Sequence, residues 1–288
     1  MMIPKSQKFK KIFPLFLLGL LTAQFAISQS GWVKNKDDYF IKADYTTYQS
    51  PNYYTINNKL QKTTSFKQQT YSVYFEYGLS DKWAVNGYIP FLKQNRYSDT
   101  KQVQGIGDIK LEFKHAIQKG SNPVAISFTP EFPVGNSNII VPVNDNPSET
   151  RNLATGDGDF NIWTTIAASH SFYPKPFYVS AFGAYNWRAK FDDQVQFGVE
   201  GGCKLFNKIW LISKANALTG FGSRPETVDF IRSNWASNTQ FIVSGTYELG
   251  KHWGIGFQYT SHNGAILKLR NYYKSDAFSA YITFNKKR

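Results

Sequence analysis

Cysteine occurs once in the 288 residues, at Cys203. A single thiol excludes an intramolecular disulfide and any zinc site built on paired cysteines. Charged residues are scarce at 18%, and beyond the first 25 or so residues no long apolar run occurs. That excludes a helical membrane protein, whose spans need about 20 consecutive apolar residues. What fills the gap is aromatic: 24 Phe, 18 Tyr and 7 Trp, or 17% of the chain. Rings with few charges and many Asn, Gln, Ser and Thr favour strands over helices.

The one apolar run belongs to a leader. Lys5, Lys8, Lys10 and Lys11 precede the stretch from Ile12 to Phe25, and Ala26-Ile27-Ser28 offers small residues for cleavage. Residues 1–28 thus read as a secretory signal peptide, with the mature chain starting at Gln29. No cysteine follows the leader, so the chain is not a lipoprotein. Setting aside the four leader lysines lowers the formal charge from +13 to +9. The cations are scattered, without an arginine cluster or basic helix. Attraction to anionic lipid headgroups accounts for them better than nucleic acid does.

Alternation of period two recurs to the end of the chain. Ile109, Leu111 and Phe113 oppose Lys110, Glu112 and Lys114, and Tyr71, Val73, Phe75 and Tyr77 oppose Ser72, Tyr74 and Glu76. Twelve strands are predicted, at 38–49, 66–77, 83–93, 107–117, 124–134, 159–172, 177–189, 193–205, 209–218, 236–248, 253–262 and 276–285. Short connections at 78–82, 118–123, 173–176, 206–208 and 249–252 alternate with connections at 50–65, 94–106, 135–158, 190–192, 219–235 and 263–275. The latter are long and polar, except the fourth.

An even strand count with short turns on one side and long loops on the other predicts an all-β fold. Residues 29–288 are expected to form a twelve-stranded antiparallel up-and-down barrel in the outer membrane of a Gram-negative bacterium, among outer-membrane lipid and lipopolysaccharide. A soluble β-sandwich also alternates, but Tyr77, Trp83, Trp210, Trp253 and Phe284 gather at strand ends, as interface girdles do.

Four motifs carry a family resemblance: Gly78-Leu-Ser-Asp81 with Ile89-Pro90 after it, Gly105-x-Gly107-Asp108, Phe132-Pro133-x-Gly135, and Thr155-Gly-Asp-Gly-Asp159. Over residues 70–284 the chain resembles the outer-membrane proteins named for the MetA pathway of phenol degradation, a transporter-like barrel family. The resemblance implies an outer-membrane barrel that moves small, hydrophobic or aromatic compounds, and it brings no catalytic residues.

Residue spacing offers no catalytic centre. A barrel lipid hydrolase resembling outer-membrane phospholipase A needs His and Ser two apart on one strand face, and none of His115, His170, His252 and His262 has that spacing. Ser169 and Ser171 flank His170 but point to the opposite face. Gly105-x-Gly107 lacks the strand–helix context of a phosphate cradle. Asp145, Glu149, Asp157 and Asp159 lack calcium-loop spacing and read as solvated loop acids. No enzyme activity, cofactor or metal is expected.

The polar face remains. Opposite the apolar positions, β-spacing turns Lys42, Asp44, Glu76, Lys110 and Glu112 inward. It does the same for Lys114, Glu131, Asn186, Arg188 and Glu200, and for Lys204, Lys214, Asn216 and Glu248. A hairpin centred near 120 sets Glu131 across from Lys110, and one near 207 sets Glu200 across from Lys214. Such pairs either fill a narrow barrel or form a polar pathway for a small solute. A channel or transporter is therefore expected, the alternative being a structural or surface-interaction barrel whose loops at 135–158 and 219–235 bind a partner.

Overall fold

The computed structural model describes residues 29–222 and 234–287, so the leader lies outside the described residues, as does most of the connection at 219–235. Twelve strands form a closed antiparallel meander. They are β1 (Tyr39–Tyr54), β2 (Leu60–Gly78), β3 (Trp83–Tyr97), β4 (Ile109–Gln118), β5 (Val124–Phe132) and β6 (Asn161–Ser171). The return half comprises β7 (Phe177–Arg188), β8 (Gln194–Leu205), β9 (Ile209–Gly220), β10 (Ser237–Leu249), β11 (Trp253–Asn263) and β12 (Asp276–Lys286). β12 pairs back onto β1 in register from Tyr39↔Lys286 to Gln49↔Asp276. Closure leaves no unpaired edge, which a hydrocarbon surrounding would penalise by several kcal/mol per backbone group.

Burial is inverted relative to a water-soluble domain. Ile166, Val199, Phe257 and Ile282 are exposed on the outside, while Lys110, Glu112, Lys114 and Asn186 are each buried on the inside. Lipid solvates the first set, and the second must be satisfied within the barrel.

The strands outrun the predicted limits at the long-loop end. The connection read as a loop at 50–65 is instead the continuation of β1 and β2 into a projecting hairpin closed by a turn at 55–59. There Thr55 N–H donates to Lys59 O at 2.9 Å. Both faces of this extension are largely polar, so backbone pairing persists where apolar alternation has ended. Pro51, which has no N–H to donate, sits where the β1–β2 register shifts between Ser50 and Asn52. Other long connections also hold short strands: Val103–Gly105 pairs with β3, Ile140–Val143 with Asn146–Asn152, and Tyr272–Tyr273 with β1.

Residues 29–38 precede the first strand and fold back into the barrel. Asp37 N–H donates to Gly78 O at 2.9 Å, and Gly78 N–H donates to Asp38 O at 3.0 Å. The segment then crosses to the opposite wall, where Trp32 packs edge-on to Tyr178 at 5.0 Å and Gly31 N–H donates to Ser169 Oγ at 2.8 Å. A Cβ on residue 31 would fall 2.0 Å from Pro123 O, so only glycine lies this close to the wall. Gln29 Nε2 reaches Gln196 Oε1 at 3.1 Å.

Candidate functional site

A cavity of about 1210 Å³ occupies the lumen, bordered by Tyr97, Tyr273 and His262 near the long loops and by Trp32, Pro174 and His252 near the short turns. Eleven of the fourteen residues singled out from the sequence border it: Lys42, Asp44, Glu76, Lys110, Glu131, Asn186, Arg188, Glu200, Lys204, Lys214 and Glu248. Glu112, Lys114 and Asn216 are buried on the same inward face without bordering the cavity. Asn216 lies across from Gly198, where a Cβ would meet Asn216 Oδ1 at 2.3 Å.

The lumen charges are organised as pairs, each laid against a ring. Lys110 Nζ is 2.9 Å from Glu131 Oε2 and 5.3 Å from the Trp163 ring centre. Lys204 Nζ is 2.7 Å from Glu248 and 5.8 Å from the Trp210 ring. Lys214 pairs with Glu200 at 3.8 Å over Phe182, Lys42 with Asp44 at 4.0 Å over Tyr281, and Lys34 with Glu76 at 3.5 Å over Phe40. In each case the ammonium both lies over an aromatic ring and reaches a carboxylate, so one charge is satisfied twice.

The acids gain further donors from aromatic edges. Trp163 Nε1 donates to Glu131 at 3.2 Å and Trp210 Nε1 to Glu248 at 3.0 Å. The hydroxyls of Tyr178 and Tyr74 donate to Glu200 and Glu76, both at 2.8 Å. Glu112 is held differently: Asn86, its neighbour on β3, donates to Glu112 Oε2 at 2.6 Å, while Lys110 turns to Glu131.

Sequence reasoning missed these inward rings because it assigned apolar residues outward. Trp210, expected in the outer girdle, points into the lumen, whereas Tyr77, Trp83 and Trp253 are exposed outside. Parity carried the signal, since Trp210 shares a face with Lys214 and Asn216, and Phe40 with Lys42.

Three of the four motifs, those at 105–108, 132–135 and 155–159, converge at the long-loop end, while Gly78–Asp81 forms a short turn at the other. Gly107 N–H donates to Pro90 O at 2.9 Å. The Asp108 carboxylate accepts Gly135 N–H at 2.9 Å and Asp157 N–H at 2.8 Å. Lys93 Nζ donates to Thr155 O at 3.0 Å, and Arg188 pairs with Asp157 at 3.2 Å and Asp159 at 3.6 Å. A Cβ at Gly135 would meet Gly156 Cα at 2.7 Å. These contacts latch the 133–160 connection onto the wall. Burial, reinforced by the charge of Glu131, pushes the Asp157 carboxyl up to about 6, and burial also raises Asp108.

Asp157 and Asp159 thus serve Arg188, while Glu149 pairs with Arg151. Among the described residues no group of His, Cys, Asp and Glu is arranged to hold a metal. His170 Nδ1 contacts Asn122, His252 Nδ1 contacts Asn285 O, and His262 Nε2 contacts the Tyr272 hydroxyl.

A lumen that is polar, narrow and wrapped in an apolar exterior defines the outer-membrane type of β-barrel. No protein-family model matches the chain, and no curated protein sequence matches it. Among solved structures it is similar to an outer membrane channel from Pseudomonas putida F1, with a TM-score of 0.66, 14% identity, and coverage of 87% of this chain and 96% of that one. It is also similar to the NanC porin, with a TM-score of 0.53, 8% identity, and coverage of 85% and 98%. At these identities the likeness concerns the fold.

Proposed function

We propose that this protein is a bacterial outer-membrane channel or transporter for small molecules, exported by its leader. The observation that carries this reading is the cavity bordered by residues from both ends of the barrel. The outer membrane channel and the porin that share its fold support it. Because Lys34, Lys42, Lys110, Lys204 and Lys214 are neutralised by neighbouring acids, a strongly charged solute would have to break a pair to gain its own. Half-buried rings at the cavity border, Trp32, Tyr97 and Tyr273, favour uncharged solutes with apolar or aromatic parts, in keeping with the resemblance to the phenol-pathway barrels. Residues 29–36, running from the mouth at the short turns into the bore, where Gln29 reaches Gln196, narrow the path. Planar-bilayer conductance and liposome swelling test the reading: removing residues 29–36 should raise conductance several-fold over the intact mature chain. A barrel that stays closed to ions and small uncharged solutes after that removal would instead be a structural or surface element.

A further inference from the structure

The turn lysines behave unlike the lumen lysines. Each of the five short turns carries one lysine: Lys82, Lys119, Lys175, Lys208 and Lys251. All five are exposed, and none takes part in an ion pair among the described residues. Lys119 donates a hydrogen bond to Asn35 Oδ1 at 3.0 Å. The sixth sector of the rim, where β12 meets β1, holds the exposed Lys36, Lys286 and Lys287. Against these eight lysines the described part of this rim sets Asp37, Asp38 and Asp81, with Glu248 already paired to Lys204 at its inner edge. The opposite rim mixes signs, as where Arg151 bridges Asp99 and Glu149.

Depth identifies the partner. Three turn lysines lie within two residues of a large exposed apolar side chain that does not border the cavity, Lys82 beside Trp83, Lys119 near Ile117 and Lys208 near Phe206, while Lys175 with Tyr173 and Lys251 with Trp253 are exposed at the cavity mouth. Tyr173 and Phe206 are 88% and 87% exposed at the tips of their turns. A side chain of this kind favours the membrane–water boundary, so an ammonium one or two residues away sits at the depth of lipid phosphates. A soluble acidic partner would not require turn cations to sit beside exposed apolar side chains such as Trp83, Ile117 and Phe206.

We infer that the short-turn rim is a lipid-binding collar, whose ring of lysines recognises anionic phospholipid headgroups in the leaflet on that side. The collar does not depend on whether the lumen conducts, and its leaflet follows from the rule that the short turns of such barrels face the periplasm. It gives the excess positive charge of the chain a location that the scattered sequence positions conceal.

The test uses the purified mature protein in micelles titrated with phosphatidylglycerol or with phosphatidylcholine of the same acyl chains. The readout is the midpoint temperature of the heat-induced gel shift. Phosphatidylglycerol should raise the midpoint well above the effect of phosphatidylcholine, and 0.5 M salt should erase most of the difference, because screening shortens the reach of exposed charges. A lysine near a lipid surface is worth roughly fivefold in association, so changing all five turn lysines to glutamine should lower the anionic preference about tenfold or more. The same five changed to arginine should keep it. Should the glutamine variant fail to fold, Lys82→Gln with Lys251→Gln should show a partial loss. Equal responses of the unmodified protein to the two lipids would overturn the proposal, as would full preference retained by the glutamine variant. Stabilisation by soluble polyglutamate but not by phosphatidylglycerol would also overturn it, pointing to an acidic macromolecule.

Discussion

Trp163 donates its indole N–H to Glu131 at 3.2 Å and turns its face to the lysine that Glu131 neutralises. One ring therefore serves both members of an ion pair. Trp163→Phe keeps the face and removes the donor, so it should cost about 1–3 kcal/mol, the worth of a hydrogen bond to a charged group. Guanidinium unfolding in micelles would measure it. Trp163→Leu should cost more, because the cation–π contact goes too.

Lys110 and Glu131 are both buried, and breaking such a pair strands a charge. Lys110→Met and Glu131→Gln should each destabilise the barrel by about 3–5 kcal/mol. The double variant should be less destabilised than the sum of the two. Strict additivity in the same unfolding assay would mean the pair is not coupled.

Adjacent positions on β4 should respond oppositely to charge. Leu111 faces outward, and Leu111→Lys should cost about 2–4 kcal/mol near mid-membrane. Glu112→Gln leaves Asn86 an oxygen to bond and should be the milder change. Folding yield into lipid vesicles would rank them, and equal tolerance would show the facing to be wrong.

The latch around Asp157 should respond to pH. Burial pushes its folded-state carboxyl up to about 6, above the ordinary range of an aspartate, so the folded protein holds the proton more tightly than the unfolded chain. The docked loop is accordingly favoured at low pH and loses that contribution as pH rises from about 4 through about 6. Protease cleavage within 133–160 should be faster at pH 7.5 than at pH 5 after correction for protease activity. Asp157→Asn should weaken this dependence, leaving the smaller part that the raised Asp108 contributes.

All twelve strands were legible because lipid and lumen impose opposite polarity on alternate residues. Above the membrane that contrast vanishes, which is why the β1–β2 extension read as a loop. The facing pairs Lys110–Glu131 and Lys214–Glu200 followed from the positions of two hairpins. The rings beside them were hidden by the assumption that apolar means outward, which fails in a lumen narrow enough to need filling. No alternation marks residues 29–38, whose place is set by contacts with β2, β6 and β8.

Those contacts also order the assembly. Gly78, Ser169 and Gln196 belong to strands spread over much of the circumference, so the segment that begins at Gln29 has no complete berth until those strands stand together. Residues 29–38 should then be among the last of the described residues to settle, and the forming barrel should pass through a stage with a less obstructed bore. Cargo fused ahead of Gln29 would compete for that bore at the final step, whereas cargo added beyond Lys287 would leave it alone.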